Sequence, residues 1–348
     1  MSSEQQHPAT TMADVAHAVG VSSGTVSRAL RGLPGVSDAL RRRILRAAEN
    51  LDYVVSPAAS GLVTGRTGSV AVLVPFIARW FHAQVLAAVH EVLRGAGFEI
   101  VLYHVEGTAE RREFFETLPV RRRADGLVVI ALSLTEREAR RLDGLGMPVV
   151  GAGTCLPGGL PEVGIDDSEG AAKAVHHLAN LGHERIGMIR TTDDEGVHQG
   201  VSRRRLAGFR SAMGERGLEV APAAVVSAPW GADGGARAMG ELLSLREPPT
   251  AVFAEADDVA VGALRTLRRS GVDVPADMSV VGFDDSPVAE LLDLTTVGQS
   301  VREQGLVAGR LLLDAVQQVG TGDSRVRLGT RLVTRGTTSR PGGASHPR

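Results

Sequence analysis

The first fifty residues carry a helical spacing of hydrophobic positions that is interrupted once. Hydrophobic residues recur at helical spacing from Val15 to Val19 and again from Val26 to Leu30. Gly20 separates the two runs, and glycine adopts the left-handed conformation that ends a helix without steric cost. Two short helices joined by a tight turn containing glycine predict a helix-turn-helix.

A side chain that can cap a helix precedes each hydrophobic run of this region. Thr11, Ser22 and Ser37 stand at these places, and their hydroxyl oxygens can accept from the first free backbone amides of a helix. Ser37 begins the third predicted helix, DALRRRILRAAENLDY, which has hydrophobic residues on one face and Arg41, Arg42, Arg43 and Arg46 on the remainder. The pattern predicts a small all-α head.

From residue 69 onward, short hydrophobic runs alternate with amphipathic helical runs. The first strand-like runs are VAVLVPF, EIVLYHV, GLVVIAL and PVVGAG. After IDDSEG the alternation begins again with RIGMIRT, AAVVSA, TAVFAE and SVVGFDD. Strands that alternate with helices predict parallel sheets with crossover helices, so the predicted fold class is α/β behind an all-α head.

Overall composition and net charge do not by themselves identify a nucleic-acid-binding protein. With 348 residues, 43% of them hydrophobic, the chain can bury two cores or more. The net charge is −2, so a nucleic-acid partner would have to be recognised by placed arginines and by dimerisation rather than by bulk charge. The single cysteine, Cys155, excludes an internal disulfide. With no leader and no membrane-spanning run visible, we expect a cytoplasmic, nucleoid-associated protein without a membrane partner.

The second predicted helix presents small residues and arginines on its outward face. Small residues let a nucleic-acid backbone approach, and arginines reach phosphates or guanine edges. The residues on this face are Ser23, Gly24, Ser27, Arg28 and Arg31. A plain helical hairpin that covers a core is the alternative, and it explains neither the shallow face nor the arginines.

Several segments together resemble the lac/galactose repressor family of bacterial transcription regulators. In the head they are VAHAVGVSSGTVSRAL, the start of the third helix at Val36 and Ser37, and the spacing of Tyr53, Ala59 and Leu62. In the core they are GIDDSEGAAKAVHHLANLGHERIGMI, RRRLAGF, PPTAVFAEADDVAVGAL, VPADMSVVGFDD and LTTVGQS, in the order of that family. The resemblance implies a two-lobed, periplasmic-binding-protein-like (type I) core whose chain crosses between the lobes more than once.

The resemblance also implies a domain organisation. We expect a disordered tail at 1–10, the helix-turn-helix head at 11–55, a hinge at 56–68, the effector-binding and dimerisation core at 69–340, and a tail at 341–348. Within the core we expect an N-lobe at about 69–168 and 298–325 and a C-lobe at about 169–297 and 326–340.

The DNA-binding residues implied by the resemblance lie in the head and the hinge. They are Thr11, Ser22, Ser23, Gly24, Thr25, Ser27, Arg28, Arg31, Arg41, Tyr53, Ala59 and Leu62. Leu62 takes the position of a leucine that wedges between base pairs in the minor groove. The hinge departs from the family at Ser56 and Ser60, and Gly61 costs a helix roughly 0.5–1 kcal/mol relative to Ala. A plain flexible tether is therefore the alternative.

Ligands of parallel α/β sheets bind beyond the carboxyl ends of the strands, where several polar residues of the core fall. Asp284 and Asp257 follow predicted strands, and Arg205 lies in RRRLAGF. The resemblance implies that Arg205 and Asp284 hydrogen-bond hydroxyl or carboxylate groups of an effector and that Trp230 can stack on it. For both aspartates the alternative is capping of the following helix.

Further residues complete the predicted cleft. Trp80 and Phe81 could line the other lobe, whereas Arg203 and Arg204 are expected on a solvated face. Ala256 and Gly153 stand where the family commonly has Asn and often has Asp, so two partners for sugar hydroxyls are missing. A sugar is nevertheless the commonest effector of the family.

An enzymatic function is not expected. Residues 20–24 match GxSxG, but that nucleophile motif needs a preceding strand, and here a helix precedes it. No phosphate-binding glycine loop is present, and the spacing of His176, His177 and His183 gives no metal-binding helix face. We therefore predict no cofactor, no metal and no catalytic residue.

We predict a ligand-responsive transcriptional regulator, most simply a repressor, that binds a palindromic operator in double-stranded DNA as a homodimer. The effector, a sugar or a related polar metabolite, could either release the operator or promote binding. A sugar-binding receptor without a DNA function is the competing class, and the helix-turn-helix speaks against it.

Overall fold

A computed structural model describes residues 10–53, 66–192, 199–319 and 325–342. The chain divides into two compact units, Met1–Gly68 and Ser69–Arg348. The predicted hinge residues Ala59 and Leu62, together with both tails except residue 10 and residues 341–342, lie outside the described residues.

In residues 10–53 the head forms three helices, which are α1 (Met12–Val19), α2 (Ser23–Leu30) and α3 (Asp38–Asn50). Thr11 and Asp14 form a capping box, in which the hydroxyl oxygen of Thr11 accepts from the Asp14 amide and the Asp14 carboxylate accepts from the Thr11 amide. Gly20 ends α1 with a φ of 74°. The hydroxyls of Ser22 and Ser37 cap α2 and α3, as predicted.

The helices of the head enclose a small hydrophobic core. Val15, Val26 and Ile44, one from each helix, are completely buried, and Tyr53 packs against the same cluster. Because each helix contributes one buried stripe, the three helices stabilise each other rather than standing alone.

The core unit contains two sheets. The strands of the first are β1 (Ser69–Val74), β2 (Glu99–His104), β3 (Leu127–Ile130), β4 (Val149–Ala152), β5 (Glu162–Ile165) and β11 (Arg325–Leu328). Those of the second are β6 (Ile186–Thr191), β7 (Val225–Ala228), β8 (Ala251–Ala254), β9 (Ser279–Asp284), β10 (Thr296–Gln299) and β12 (Thr330–Val333). The strand orders are β11-β5-β4-β3-β1-β2 and β12-β10-β9-β8-β6-β7. The described pairs are parallel except that between β10 and β12.

Helices cover both sheets. They are α4 (Trp80–Gly95), α5 (Thr108–Thr117), α6 (Glu136–Asp143), α7 (Asp167–Asn180), α8 (Gln199–Glu215), α9 (Ala232–Leu243), α10 (Asp257–Arg269), α11 (Pro287–Leu291) and α12 (Val301–Gln317). This coverage explains why central strands such as β1 and β9 are buried along nearly their whole length and are mostly hydrophobic, since side chains on both faces are covered. Of the helices in the described part of the chain, none has the length and hydrophobicity needed to span a membrane.

The chain crosses three times between the lobes built on these sheets, which we call the N-lobe and the C-lobe. The crossings follow β5, β10 and β11. The third crossing comes after Leu328, whereas we expected the C-lobe to resume at residue 326. The reason is that β11 pairs with β5 in the N-lobe from Arg325 to Leu328. Only β12 returns to the C-lobe. The predicted class, a helix-turn-helix head before a two-lobed α/β core, is confirmed.

Candidate functional site

A cleft with about 720 Å³ of empty space, part of it open to solvent, lies between the two lobes of the core unit and is lined by residues of both. The strands point their carboxyl ends towards it, since Gly153 directly follows β4 while Thr191 and Asp284 end β6 and β9. This is the place at which open parallel sheets bind ligands. Of the residues predicted to bind an effector, it brings together Phe81, Arg205, Trp230 and Asp284.

Arg205 is held rigidly on the C-lobe side of the cleft. Its Nε donates to Asp167 Oδ1 at 3.0 Å, and its Nη1 donates to the carbonyl oxygen of Glu255. The guanidinium carbon lies 3.6 Å from the centroid of the Phe283 ring. Only 5% of the residue is exposed, and a buried guanidinium requires such pairing to offset its lost hydration. The planar group therefore has one fixed orientation at the cavity wall.

Asp284 faces Arg205 across a short gap. Its Oδ1 lies 4.0 Å from Nη2 of Arg205 and accepts a hydrogen bond of 2.6 Å from Nε2 of Gln299. Burial raises the pKa of Asp284 to about 8, against the lowering effect of Arg205. A protonated carboxyl can donate as well as accept a hydrogen bond, which suits a ligand hydroxyl.

Two neighbours of Arg205 were not predicted to take part in the site. Glu255, which follows β8, is buried in the cavity wall and accepts from the Thr191 amide at 2.6 Å and from the Ser202 hydroxyl at 2.9 Å. Burial raises the pKa of Glu255. Arg204, expected on a solvated face, instead donates to Asp167 Oδ2 from Nε and Nη2 at 3.0 and 2.8 Å and lines the cavity. The strand-end rule that selected Asp257 could have selected Glu255.

The aromatic side of the cleft explains one departure noted in the sequence. Gly153 has a φ of 66°, and a Cβ atom built there would lie 2.4 Å from Cζ of Phe81. The phenyl ring therefore occupies the space that a side chain at position 153 would need. On the C-lobe side, Trp230 lines the cavity, and its indole Nε1 is buried with no hydrogen-bond partner among the residues that the structure describes.

An arginine of the N-lobe touches the tryptophan of the C-lobe. The guanidinium carbon of Arg79 lies 3.2 Å from the centroid of the Phe76 ring and 4.7 Å from that of Trp230. Both distances are in the range of cation–π attraction. Arg79 therefore contributes a direct contact between the lobes beside the cavity.

Two residues predicted to bind the effector lie beside the main cavity. Trp80 and Asp257 line a smaller cavity that shares Phe81, Trp230 and Asp284 with it. Asp257 is 1% exposed, and its carboxylate accepts from the amide and hydroxyl of Ser286 and from the hydroxyl of Thr296. Burial raises its pKa to about 6. Asp257 ties the start of α10 to the segments that follow β9, and its contact with an effector stays a prediction.

Two glutamines of the cleft were missed by the sequence analysis. Gln299 ends β10, and Gln304 lies in the first turns of α12, where it is completely buried. The available signal was a polar residue on the buried stripe of α12, which also contains Val301, Ala308 and Leu312. Such a residue in a hydrophobic stripe needs a hydrogen-bond partner and is a candidate for function.

The outward face of α2 in the head is arranged as predicted from the sequence. Ser22, Ser23, Gly24, Arg28 and Arg31 are exposed, and Thr25 and Ser27 are half-buried. The Ser22 and Thr25 hydroxyls lie 2.9 Å apart. Arg28 extends along the helix, with Nε 3.4 Å from the carbonyl oxygen of Gly24.

Arg41 has a structural contact that the sequence did not indicate. Its Nη2 donates to the carbonyl oxygen of Leu33 at 2.7 Å and thereby fastens the segment between α2 and α3. Tyr53, half-buried against the core of the head, and Thr11, the cap of α1, likewise take part in packing or capping.

Comparison with known proteins gives consistent results for both units. Residues 11–56 match the profile of bacterial regulatory proteins of the lacI family, and residues 175–338 match that of the periplasmic binding protein-like domain. The HTH-type transcriptional repressor CytR of Escherichia coli K12 is 32% identical over 345 residues, which is 97% of this chain and 99% of the relative.

Two solved structures are similar over nearly the whole chain. A complex of the transcriptional regulator CelR with cellobiose is 33% identical with a TM-score of 0.69, and the match covers 94% of this chain and 99% of that chain. The lac repressor dimer bound to operator and the anti-inducer ONPF is 26% identical with a TM-score of 0.83, and the match covers 95% and 100%.

Proposed function

Because the chain belongs to the lacI family of bacterial regulatory proteins, we propose that it is a transcriptional repressor whose operator affinity is set by a sugar in the interlobe cleft. One observation carries the proposal. The α2 face of the head is exposed and carries two arginines, and the same chain has an interlobe cavity that is lined by Arg205, Asp284 and the aromatic rings of Phe81 and Trp230. A DNA-reading surface and a small-molecule site in one chain are the two parts that a ligand-controlled regulator needs.

The head reads DNA through α2, and a homodimer presents two heads to a palindromic site. A two-fold dimer matches the two-fold symmetry of a palindrome, so each α2 enters one half-site. The similarity to a lac repressor dimer bound to its operator supports this arrangement. Arg28 and Arg31 supply base-edge or phosphate contacts, and the predicted wedge Leu62 contacts the minor groove between the half-sites.

The effector is a neutral sugar held by both lobes. The similarity to a CelR complex with cellobiose supports a sugar, and so does the combination of fixed hydrogen-bonding groups with Phe81 and Trp230. A ligand that contacts both lobes stabilises one angle between them and thereby shifts the population of operator-binding dimers. Whether the sugar releases or promotes operator binding follows from which angle it favours.

No catalytic activity is assigned to the chain. The carboxylate of Glu255 in the cleft is held by Thr191 and Ser202. The similar proteins are transcriptional regulators. We place the protein in the cytoplasm at the nucleoid, where its operator lies. A sugar receptor without a DNA function is disfavoured by the head.

The experiment is an operator selection followed by an effector screen on the full chain. Duplexes are selected from random DNA, and their affinity is measured by fluorescence polarisation with and without cellobiose, glucose, ribose, nucleosides and sugar acids. A productive effector should change operator affinity about 5–150-fold. At a hundred times its Kd it should also stabilise the protein by about 2.7 kcal/mol in thermal unfolding. Failure to select a palindrome, or a bound sugar that leaves operator affinity unchanged, refutes the proposal.

A further inference from the structure

Gln304 is a buried polar residue at the point where the chain enters the N-lobe. It lies one turn into α12, which begins immediately after β10 ends at Gln299 in the C-lobe sheet. Its exposure is 0%, yet it lines the cavity between the lobes. Against the same α12, the N-lobe helix α4 packs closely, since a Cβ at Gly305 would lie 2.6 Å from that of Ala88. The position of Gln304 is therefore fixed by helix packing.

A chain of hydrogen bonds joins Gln304 to the C-lobe. Nε2 of Gln304 donates to Oε1 of Gln299 at 2.9 Å, and Nε2 of Gln299 donates to Oδ1 of Asp284 at 2.6 Å. We call these three residues the amide relay. An amide has a donor end and an acceptor end, so each bond of the relay fixes the direction of the next side chain. The relay leaves Oε1 as the free end of the Gln304 amide.

This free oxygen is buried beside the cavity that Gln304 lines, and it has no donor among the described residues. A Cβ built at Gly153 would lie 3.5 Å from this oxygen, in the space that the ring of Phe81 fills. A buried acceptor without a donor destabilises a folded protein, and such groups are rare outside functional sites.

The opposite wall offers the complementary group. Nε1 of Trp230, on the C-lobe side of the cavity, is a buried donor that lacks an acceptor among the described residues. A hydroxyl group both donates and accepts, so a hydroxylated ligand can satisfy either wall. A carboxylate or a phosphate dianion offers only acceptors and would place oxygen against oxygen at Gln304.

We propose that Gln304 determines the specificity of the cleft: its Oε1, oriented by the amide relay, accepts a hydrogen bond from a hydroxyl group of a neutral sugar and discriminates against sugar acids. The proposal rests on the sugar-binding function proposed above. A sugar bound to Gln304 is linked through Gln299 to Asp284, so the N-lobe wall and the C-lobe wall are engaged by one contact. Sites built to hydrogen-bond a hydroxyl reject the analogue that lacks it.

The relay is tested first without any ligand, on the full chain. The hydrogen bond from Gln299 favours the ionised form of Asp284, which is also surrounded by Arg205, Asp257 and Asp258. Gln304→Met keeps the side-chain volume and frees the amide of Gln299 to rotate. Carbon-13 NMR of the Asp284 carboxyl should then show protonation at a higher pH than in the wild type. Gln317→Met, the same substitution at an exposed position of α12, is the matched control and should not shift it. An unshifted titration in Gln304→Met overturns the relay.

The hydroxyl contact is tested by calorimetry with named sugars. Cellobiose, glucose, the 2-, 3- and 6-deoxyglucoses and glucuronate are titrated into the wild type, Gln304→Met and Gln317→Met. We expect one deoxyglucose to bind the wild type about tenfold more weakly than glucose, and Gln304→Met to lose about tenfold for glucose but nothing for that deoxyglucose. Equal glucose affinity in the wild type and Gln304→Met, or tighter binding of glucuronate than of glucose, overturns the contact.

Two further outcomes separate the proposals from folding effects and from each other. If Gln304→Met does not fold, Gln304→Glu replaces it, because its protonated carboxyl can donate to Gln299 and accept from glucose. Ionisation of this carboxyl removes the donor to Gln299 but leaves both oxygens able to accept from glucose, so glucose binding should persist as the pH rises. If no sugar binds the wild type, the sugar effector of the proposed function is refuted together with the hydroxyl contact. The titration of Asp284 still decides the relay.

Discussion

Introducing a side chain at Gly153 should destabilise the folded protein, and a second substitution at Phe81 should recover part of the lost stability. Gly153 has a φ of 66° and lies under the ring of Phe81. Gly153→Asp introduces a Cβ into left-handed backbone, which costs roughly 1–2 kcal/mol, and short polar residues fall at the low end. It also places that Cβ 2.4 Å from Cζ of Phe81, which the structure cannot accept without moving the ring.

The size of the effect follows from these two contributions. Overpacking of a filled site costs typically 1–3 kcal/mol, so Gly153→Asp should lower the free energy of unfolding by about 2–4 kcal/mol. Phe81→Ala opens the space, and with both substitutions the overpacking contribution should vanish. The double-mutant cycle should therefore give a coupling of about 1–3 kcal/mol between the two positions, in the direction of rescue.

Denaturant unfolding of the wild type, both single variants and the double variant measures this coupling. Gly158→Asp is the control, because Gly158 has a φ of 78° but a Cβ there meets nothing within 4 Å. It reports the backbone contribution alone. A Gly153→Asp variant no less stable than Gly158→Asp, or effects of Gly153→Asp and Phe81→Ala that simply add, would show that the ring does not fill this space.

The remaining predictions concern the head, the hinge and the cleft. Arg28→Ala should cost about 1–3 kcal/mol on the selected operator and relax its sequence preference in polarisation assays, while retained preference would remove Arg28 from base recognition. Arg41→Ala should weaken binding to all duplexes and lower the stability of the head by about 1 kcal/mol, since it loses the bond to Leu33; operator-selective loss at full stability would contradict this. Arg205→Met should abolish the response to the sugar but keep operator binding, and a folded variant that no longer binds DNA would refute that placement. Leu62→Ala should lose operator specificity but keep salt-sensitive non-specific binding; wild-type behaviour would reduce the hinge to a tether. Because burial raises the pKa of Asp284 from 3.8 to about 8, the folded protein holds this proton more tightly than the unfolded chain, so its stabilising contribution falls as the pH rises from about 4 to about 8. Asp284→Asn should flatten that part of the pH dependence of denaturant unfolding, and an unchanged slope would show that Asp284 is ionised throughout.

The sequence by itself determined the local structure and the order of the elements. Helix starts at Thr11, Ser22 and Ser37 were predictable because a cap bonds only to an amide two or three residues ahead. The α/β class followed from hydrophobic runs that a covered parallel sheet requires. Asp284 was selected by its place at a strand end and Arg205 by the family resemblance, and both line the cavity between the lobes.

Only the tertiary structure decided what those side chains touch. Asp257 and Asp284 both fall at strand ends in the sequence. The carboxylate of Asp257 accepts hydrogen bonds from Ser286 and Thr296, whereas Asp284 lines the main cavity. Arg204 binds Asp167, which lies 37 residues away in the chain. The partners of the amide relay come from β9, β10 and α12, and the order of the strands in the sheets brings these elements together. Such contacts depend on how the lobes pack, because burial and the distance between remote elements set which polar groups are satisfied and which remain available to a ligand.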